Sequence, residues 1–380
     1  MQRLAPQNRV LHIEPFHPPL AWLKNSNAVL KREISNNVPS LREVRPNVFT
    51  YRPSYPYVPF NMRSGVSASL NSSLYRAELR ALLRKFGVTK PWLWAFFAQS
   101  LSVLKLDFEY VIYDCADDYP PYFPHPVEKR FVQEIDQSLC RSADLVFVGS
   151  EPLRQKKAPF NRQTYIVNHA ADISHFAKAA DPATVVPADL ESIPHPRIGF
   201  VGMMDGIRFD VDIIRRLSDN PEYQVVIVGD FVGELKVALP SRKNIHLLGM
   251  KPVAQLPSYL KGLDVCLMPY RVNEATRYIY PLKLHEYMAT GLPIVSTDIP
   301  AVDSFRSLIY VAENTDEFIR LTARALEEND DKTAAARRRT AQEHTWENHV
   351  QHKIDLIHRN LLDRTSENSS RVSNGGAVYV

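Results

Sequence analysis

The chain has 380 residues, 45% of them hydrophobic and 23% charged, enough for substantial cores and, by length, two domains of roughly 150–200 residues. Its formal charge of +4, with basic residues spread among acids, is too mild for a nucleic-acid partner and fits an anionic small molecule or weak membrane contact. Three widely spaced cysteines, Cys115, Cys140 and Cys266, argue against a disulfide scaffold or clustered metal site and suit a reducing compartment.

The opening residues MQRLAPQNRVLHIEP lack an apolar signal-peptide core, and PWLWAFFAQSLSVL at 91–104 is too short to span a bilayer. The expectation is a cytoplasmic protein, with peripheral contact at the inner face of the membrane as an extension of it. Along the chain, RVLHI at 9–13 reads as a short strand, and 41–65, rich in Pro, Tyr and Asn, as irregular chain or short extended pieces. Helical spacing of Tyr75, Leu79, Leu82, Leu83 and Phe86 predicts a helix over 71–87. PWLWAFFA reads as a strand, 99–106 as a short helix, 110–114 as a strong strand and 126–140 as a helix. A strand at 144–149, a helix at 151–158 and a strand at 164–170 complete a first domain over 1–180.

Residues 177–196 turn to Ala, Pro and Asp, and 181–196 are expected to be a linker. A second domain over 197–345 then alternates apolar strands (197–202, 224–230, 244–249, 264–270 and 293–300) with helices at 211–220, 256–262 and 282–291. Continuous apolar strands separated by helices imply parallel sheets covered on both faces, and two such units imply a cleft between them. Further helices are expected at 316–327 and 330–343. A carboxyl-terminal helix at 346–362 is expected to return to the first domain, followed by a disordered polar tail at 363–380.

Ligands of open α/β sheets bind beyond the carboxyl ends of parallel strands, so polar residues there have first claim on function. Gly199 and Gly202, followed by Asp205, Gly206 and Arg208, allow close backbone approach, and Arg208 suits a phosphate, although a turn with a surface arginine is the plainer alternative. The stretch RYIYPLKLHEYMATGLPIV at 277–295 sets His285 and Glu286 in an apolar helix between Pro281 and the Gly291-Leu292-Pro293 break. The amino end of that helix, with Lys283 and Leu284 in its first turn, is a ready diphosphate site, and Glu286 is a suitable acceptor for sugar hydroxyls. His285 is weighted toward ordinary packing or exposure rather than ligand contact, because adjacent side chains diverge on a helix. Tyr270, Arg271 and Asn273 follow the strand 264–270 and are placed to close around a donor.

In the first domain YDCADDY at 113–119 offers Asp114, Asp117 and Asp118 to orient or deprotonate an acceptor, with turn capping as the ordinary alternative. No spacing of His or Glu supports a metal there. Ser150, Asn168 and His169 are strand-end candidates, and Trp92, Trp94, Tyr119, Tyr122 and Phe123 are aromatics for which packing is the commoner role.

Together, YDCADDY, ADLVFVGS at 143–150, NHAADISHF at 168–176, IGFVGMMDGIRFD at 198–210, VVIVGD at 225–230, NIHLLG at 244–249, DVCLMPY at 264–270 and PLKLHEYMATGLPIV at 281–295 resemble the GT4-like retaining glycosyltransferases with a GT-B fold. The resemblance covers about residues 9–362 and is more specific in the second domain. It implies two Rossmann-like domains facing across a cleft, the carboxyl-terminal one gripping a nucleotide-diphosphate sugar and the amino-terminal one presenting a saccharide or lipid-linked acceptor. It implies hexosyl transfer to a hydroxyl in polysaccharide or cell-envelope glycan synthesis, without a metal or other cofactor. The residues expected to carry the chemistry are Asp114, Asp117, Arg208 and Lys283; those expected to hold the donor are Gly202, Arg208, Tyr270, Lys283, Leu284 and Glu286.

The chain also departs from that pattern. The family carries two acidic residues eight positions apart; Glu286 matches the second, whereas Tyr278 stands at the first. Met203 stands where a second basic residue is common. Similar proteins open with a strand and glycine loop ahead of the strand matching RVLHI, and the first domain is expected to lack both. These departures favour, as an alternative, a catalytically weak nucleotide-sugar-binding or assembly subunit. A two-domain nucleotide-sugar epimerase is a third possibility, against which the matches through 264–295 speak.

Overall fold

A computed structural model describes residues 4–6, 8–14, 40–53, 65–96, 103–123, 125–232, 239–327, 330–367 and 378–379. The chain divides into two compact units, one made of Met1–Val148, Arg154–Ile166 and Ile354–Val380, the other of Gly149–Leu153 and Val167–Lys353.

The first unit holds a sheet of β1 (Arg9–Ile13), β2 (Ser40–Arg45), β3 (Val48–Arg52), β4 (Trp92–Ala95), β5 (Tyr110–Cys115), β6 (Leu145–Val148), β7 (Thr164–Ile166) and β14 (Val378–Tyr379). Its order is β2-β3-β1-β14-β4-β5-β6-β7. Every neighbouring pair is parallel except the β2–β3 hairpin. Helix α1 (Gly65–Lys85) buries Tyr75, Leu79, Leu82 and Leu83 at helical spacing. Helix α2 (Pro126–Ser142) starts where Pro126 presets the first turn and the His125 ring accepts from the Val127 N–H; Val132, Ile135 and Leu139 then face inward. At its core end Asp136 takes Lys157, from α3 (Glu151–Lys157), and the Tyr113 hydroxyl at 2.7 Å. Lys156 reaches the buried Asp118 at 2.6 Å.

In the second unit the strands β8 (Arg197–Val201), β9 (Gln224–Val228), β10 (Ile245–Gly249), β11 (Val265–Met268), β12 (Ile294–Thr297) and β13 (Tyr310–Ala312) order as β10-β9-β8-β11-β12-β13. All neighbours are parallel. Strands β8, β11 and β12 are buried at every residue, which is why they read as continuous apolar runs rather than alternating ones. The helices are α4 (Ile173–Phe176), α5 (Ala188–Glu191), α6 (Val211–Leu217), α7 (Leu256–Lys261), α8 (Leu282–Thr290), α9 (Thr315–Glu327), α10 (Asp331–Ala341) and α11 (Trp346–Glu367). From Ile354 onward α11 belongs to the first unit.

Several expectations change. Residues 181–196 are not a free linker: Leu190 and Ile193 are buried in one core with Leu260 and Leu263, and Asp189 takes Lys251 and the Tyr259 hydroxyl. The β2–β3 hairpin supplies the short extended pieces expected at the start of 41–65, whereas the strand expected over 164–170 ends at Ile166. The final helix continues to Glu367, and Val378–Tyr379 pairs with β1 and β4 where a disordered tail was expected. Residues 368–377 of that tail, and 99–102 of the helix expected over 99–106, lie outside the described residues.

Candidate functional site

The carboxyl ends of β8, β9 and β10 in the second unit are stitched together by backbone bonds. Gly202 N–H donates to Val228 O at 2.8 Å, and Gly229 N–H to Gly249 O at 2.9 Å. Gly202 (φ +149°) and Gly229 (φ +148°) meet back to back: a Cβ on Gly229 would fall 1.9 Å from the Gly202 carbonyl oxygen. A Cβ on Gly202 would fall 2.1 Å from Lys283 Cε and 2.3 Å from its Nζ. Glycine at 202 is therefore what lets the Lys283 ammonium lie on the backbone at the end of β8.

Lys283 comes from the first turn of α8, whose leading residue Pro281 offers no side-chain cap. The first amide groups of a helix have no intrahelical acceptor, so this end presents N–H donors beside the ammonium. The Lys283 Nζ stands 5.5 Å above the Phe200 ring. Burial pushes its pKa down, Arg208 pushes the same way, and Glu286 opposes both. Burial conversely raises Glu286, against the pull of Lys283 and His175. A half-buried cation, a half-buried carboxylate and the amino end of a helix in one place suit a ligand with both anionic oxygens and hydroxyls.

Arg208 is oriented from its own loop. Its Nε and Nη2 lie 2.7 and 2.6 Å from Asp205 Oδ2, while Asp205 Oδ1 accepts from the amides of Ile207 and Arg208. The loop is tied to the one after β11: Arg271 N–H donates to Arg208 O at 2.7 Å, Asn273 Nδ2 to Ile207 O at 2.7 Å, and Phe209 bridges Tyr270. Arg271 and Asn273 thus brace the loop carrying Arg208, and the backbone bridge between Phe209 and Tyr270 ties it to the end of β11.

The structure separates the other candidates. Leu284 is wholly buried and its N–H bonds to Pro281 O at 3.2 Å, so its side chain packs rather than faces a ligand. His285 is also wholly buried; its Nε2 meets the Tyr280 hydroxyl at 3.0 Å and its ring stacks on His344 at 3.9 Å. Burial, with His344 and His169 nearby, lowers its pKa to about 2. Ser150 donates to Tyr278 O at 2.7 Å and Asn168 to Gly149 O at 2.9 Å, while His169 lies against Tyr280, so these three brace loops of this unit.

In the first unit Asp114, the penultimate residue of β5, is buried and accepts from Trp94 Nε1 at 2.9 Å. Asp117 is half-buried, and its carbonyl accepts from the Cys115 thiol at 3.3 Å. Asp118 is taken by Lys156 and Lys157 and serves the core rather than an acceptor. Trp92 packs on Tyr110, Trp94 on Phe147, and the Tyr119 hydroxyl donates to Phe96 O at 3.2 Å.

Gly229 and His175 are not singled out by the sequence, and Asp205 is noted there without its role in orienting Arg208. His175, on α4, bonds to Val253 O at 2.8 Å and acts electrostatically on Glu286. Its only signal in the sequence is its place in NHAADISHF, a motif whose first residues, Asn168 and His169, are the ones that stand at a strand end.

Two parallel α/β units, the second with a basic, glycine-backed site at its strand ends, define the class of protein. Residues 195–328 match the model of the family described as glycosyl transferases group 1. The chain is 24% identical over 262 residues to TuaH of Bacillus subtilis (strain 168), named as a teichuronic acid biosynthesis glycosyltransferase. That match takes in 62% of this chain, which spans 64% of TuaH's length. Sucrose-phosphate synthase from Thermosynechococcus elongatus superposes with a TM-score of 0.64 at 14% identity, over 96% of this chain and 100% of that one. The UDP-forming α,α-trehalose-phosphate synthase from Burkholderia xenovorans, solved with glucose-6-phosphate, gives 0.65 at 12% identity, over 92% and 100%. The chain has the GT-B fold and is related to the glycosyl transferases group 1 family.

Proposed function

We propose that the chain is a retaining glycosyltransferase that moves a sugar from a nucleotide-diphosphate sugar to a hydroxyl acceptor in polysaccharide or cell-envelope glycan synthesis. The observation that carries this reading is the Lys283 ammonium held against Gly202 at the amino end of α8, with Arg208 and Glu286 in its field. A diphosphate would be met there by an ammonium whose lost solvation it replaces, by helix amides and by an arginine fixed in advance by Asp205. As the glycosidic bond breaks, charge grows on the departing diphosphate, and these preorganised donors stabilise it more than they stabilise the intact donor. Glu286, an acceptor of hydrogen bonds, holds hydroxyls of the donor. Asp114 and Asp117 are assigned to orienting or deprotonating the acceptor.

The acceptor is a saccharide or a lipid-linked saccharide, and the chain works in the cytoplasm, at the inner face of the membrane. Buried free thiols at Cys115, Cys140 and Cys266 suit a reducing compartment. Among the described residues no helix is long and apolar enough to cross a membrane.

Tyr278, in place of an acid, favours a second reading, a subunit that binds nucleotide sugar with little turnover. Calorimetry with a panel of nucleotide diphosphates and nucleotide sugars, followed by acceptor-dependent nucleotide release in the same preparation, separates the two. Binding with release supports transfer; binding without release supports the second reading; absence of binding overturns both.

A further inference from the structure

We propose that the solvent-facing side of α1 is a docking surface for an anionic lipid bilayer. The buried side of the helix is fixed by Tyr75, Leu79, Leu82 and Leu83. The opposite side leaves Leu70 49% and Leu74 45% exposed, one turn apart, and continues through exposed Ala77 and Ala81. Arg84 and Lys85 stand exposed on the same side toward the carboxyl end, and Arg80 is exposed at its flank, opposite the flank that carries Glu78. Residues 70, 74, 77, 81, 84 and 85 recur at three- and four-residue spacing, which sets them on one face about 22 Å long.

No carboxylate stands on this face. Glu78 lies at its flank, half-buried, where it accepts the Tyr51 hydroxyl. Among the described residues no acid is paired with Arg80, Arg84 or Lys85, so their charge is not neutralised within the chain. Exposed leucines beside unpaired cations are the composition of a helix that lies in a membrane interface, with the leucines among acyl chains and the cations at anionic headgroups. A protein groove is the poorer fit. A helix filling a groove needs large anchors repeated at i, i+3 or i+4 and i+7, and here the series falls to alanine after Leu74.

The inference deepens the proposed function by stating which surface would meet a membrane, and its test does not depend on turnover. Full-length protein is floated with vesicles of phosphatidylcholine alone and of an equal mixture with phosphatidylglycerol, at low and high salt. Flotation with the anionic vesicles, weakened by salt and absent with phosphatidylcholine alone, is expected. The triple variant R80E/R84E/K85E should lose about fivefold per cation, on the order of a hundredfold in all. The pair L70Q/L74Q should lose on the order of tenfold.

All these positions are exposed, so both variants should keep the parent's circular dichroism, unfolding midpoint and nucleotide-diphosphate affinity. Failure of the wild-type protein to float, equal flotation with neutral vesicles, or variants that float like wild type would overturn the proposal. So would selective capture of an acidic protein without vesicle binding, which would assign the face to a protein partner. Loss of nucleotide binding with retained flotation would instead count against the proposed function alone.

Discussion

At the scale of single residues the site depends on what is absent at position 202. The space a methyl group would need is already filled by the Lys283 side chain, so Gly202→Ala must displace the ammonium in addition to straining a backbone at φ +149°. A double-mutant cycle separates these effects. Lys283→Ala should weaken nucleotide-diphosphate binding by about 2–3 kcal/mol, the worth of a partly desolvated charge-assisted contact. Gly202→Ala should cost a similar amount when Lys283 is present and much less in the Lys283→Ala background. Additive losses in calorimetry would show that Gly202 does not act through the lysine. Asp205→Asn, which frees Arg208 from its charged partner, should leave protein stability nearly unchanged, because the pair is partly exposed.

At the scale of elements α8 is held at its carboxyl end and from beneath. Gly291 (φ +85°) ends it in the left-handed conformation, and the buried Arg337 donates to Gly291 O at 3.2 Å and Leu308 O at 2.7 Å. Beneath it, neutral His285 is packed between Tyr280, Phe305 and His344. Its folded pKa of about 2 lies below the ordinary 6.5, so the unfolded chain takes up the proton first. Stability is therefore full above pH 6.5 and declines as pH falls toward 2, by about 2 kcal/mol from this group at pH 5. His344, also lowered by burial, adds in the same direction. His285→Phe keeps a ring in the stack and should flatten the fall of the unfolding midpoint between pH 6.5 and 5; an unchanged slope would place the effect elsewhere.

The same elements show what could be read in advance. RIGFVG, QVVIVGD and DVCLMPY are legible because strands buried on both faces must be apolar at each position, and Lys283 and Glu286 stand out as charges in an apolar helix. Strand β13 has three residues and no such run. The contacts of Asp205, Gly229 and His175 are settled by loops meeting at neighbouring strand ends and leave no local pattern, whereas the parting of His285 from Glu286 follows from helical spacing alone.

At the scale of the whole molecule each unit is assembled from separated stretches of chain, and the first is completed by residues after Ile354. There Leu356 and Ile357 are buried, Asn360 Oδ1 accepts the Tyr110 hydroxyl at 2.6 Å, and Arg364 pairs with Asp144 at 2.8 Å. Asp144 in turn accepts the Val111 amide at 2.8 Å, so the end of α11 fixes the start of β5. The carboxyl end of β5 carries Asp114, so any acceptor chemistry assigned to that residue depends on an element about 250 residues further along. Asn360→Ala leaves the buried Tyr110 hydroxyl without this acceptor, at a cost of about 1–3 kcal/mol. Hydrogen exchange should then rise in β4, β5 and β6, while amides of β8, β11 and β12 keep their protection and nucleotide-diphosphate affinity stays the same. Equal loss of protection in both sheets would mean that the two units unfold as one, and that donor binding is as sensitive to α11 as the first unit is.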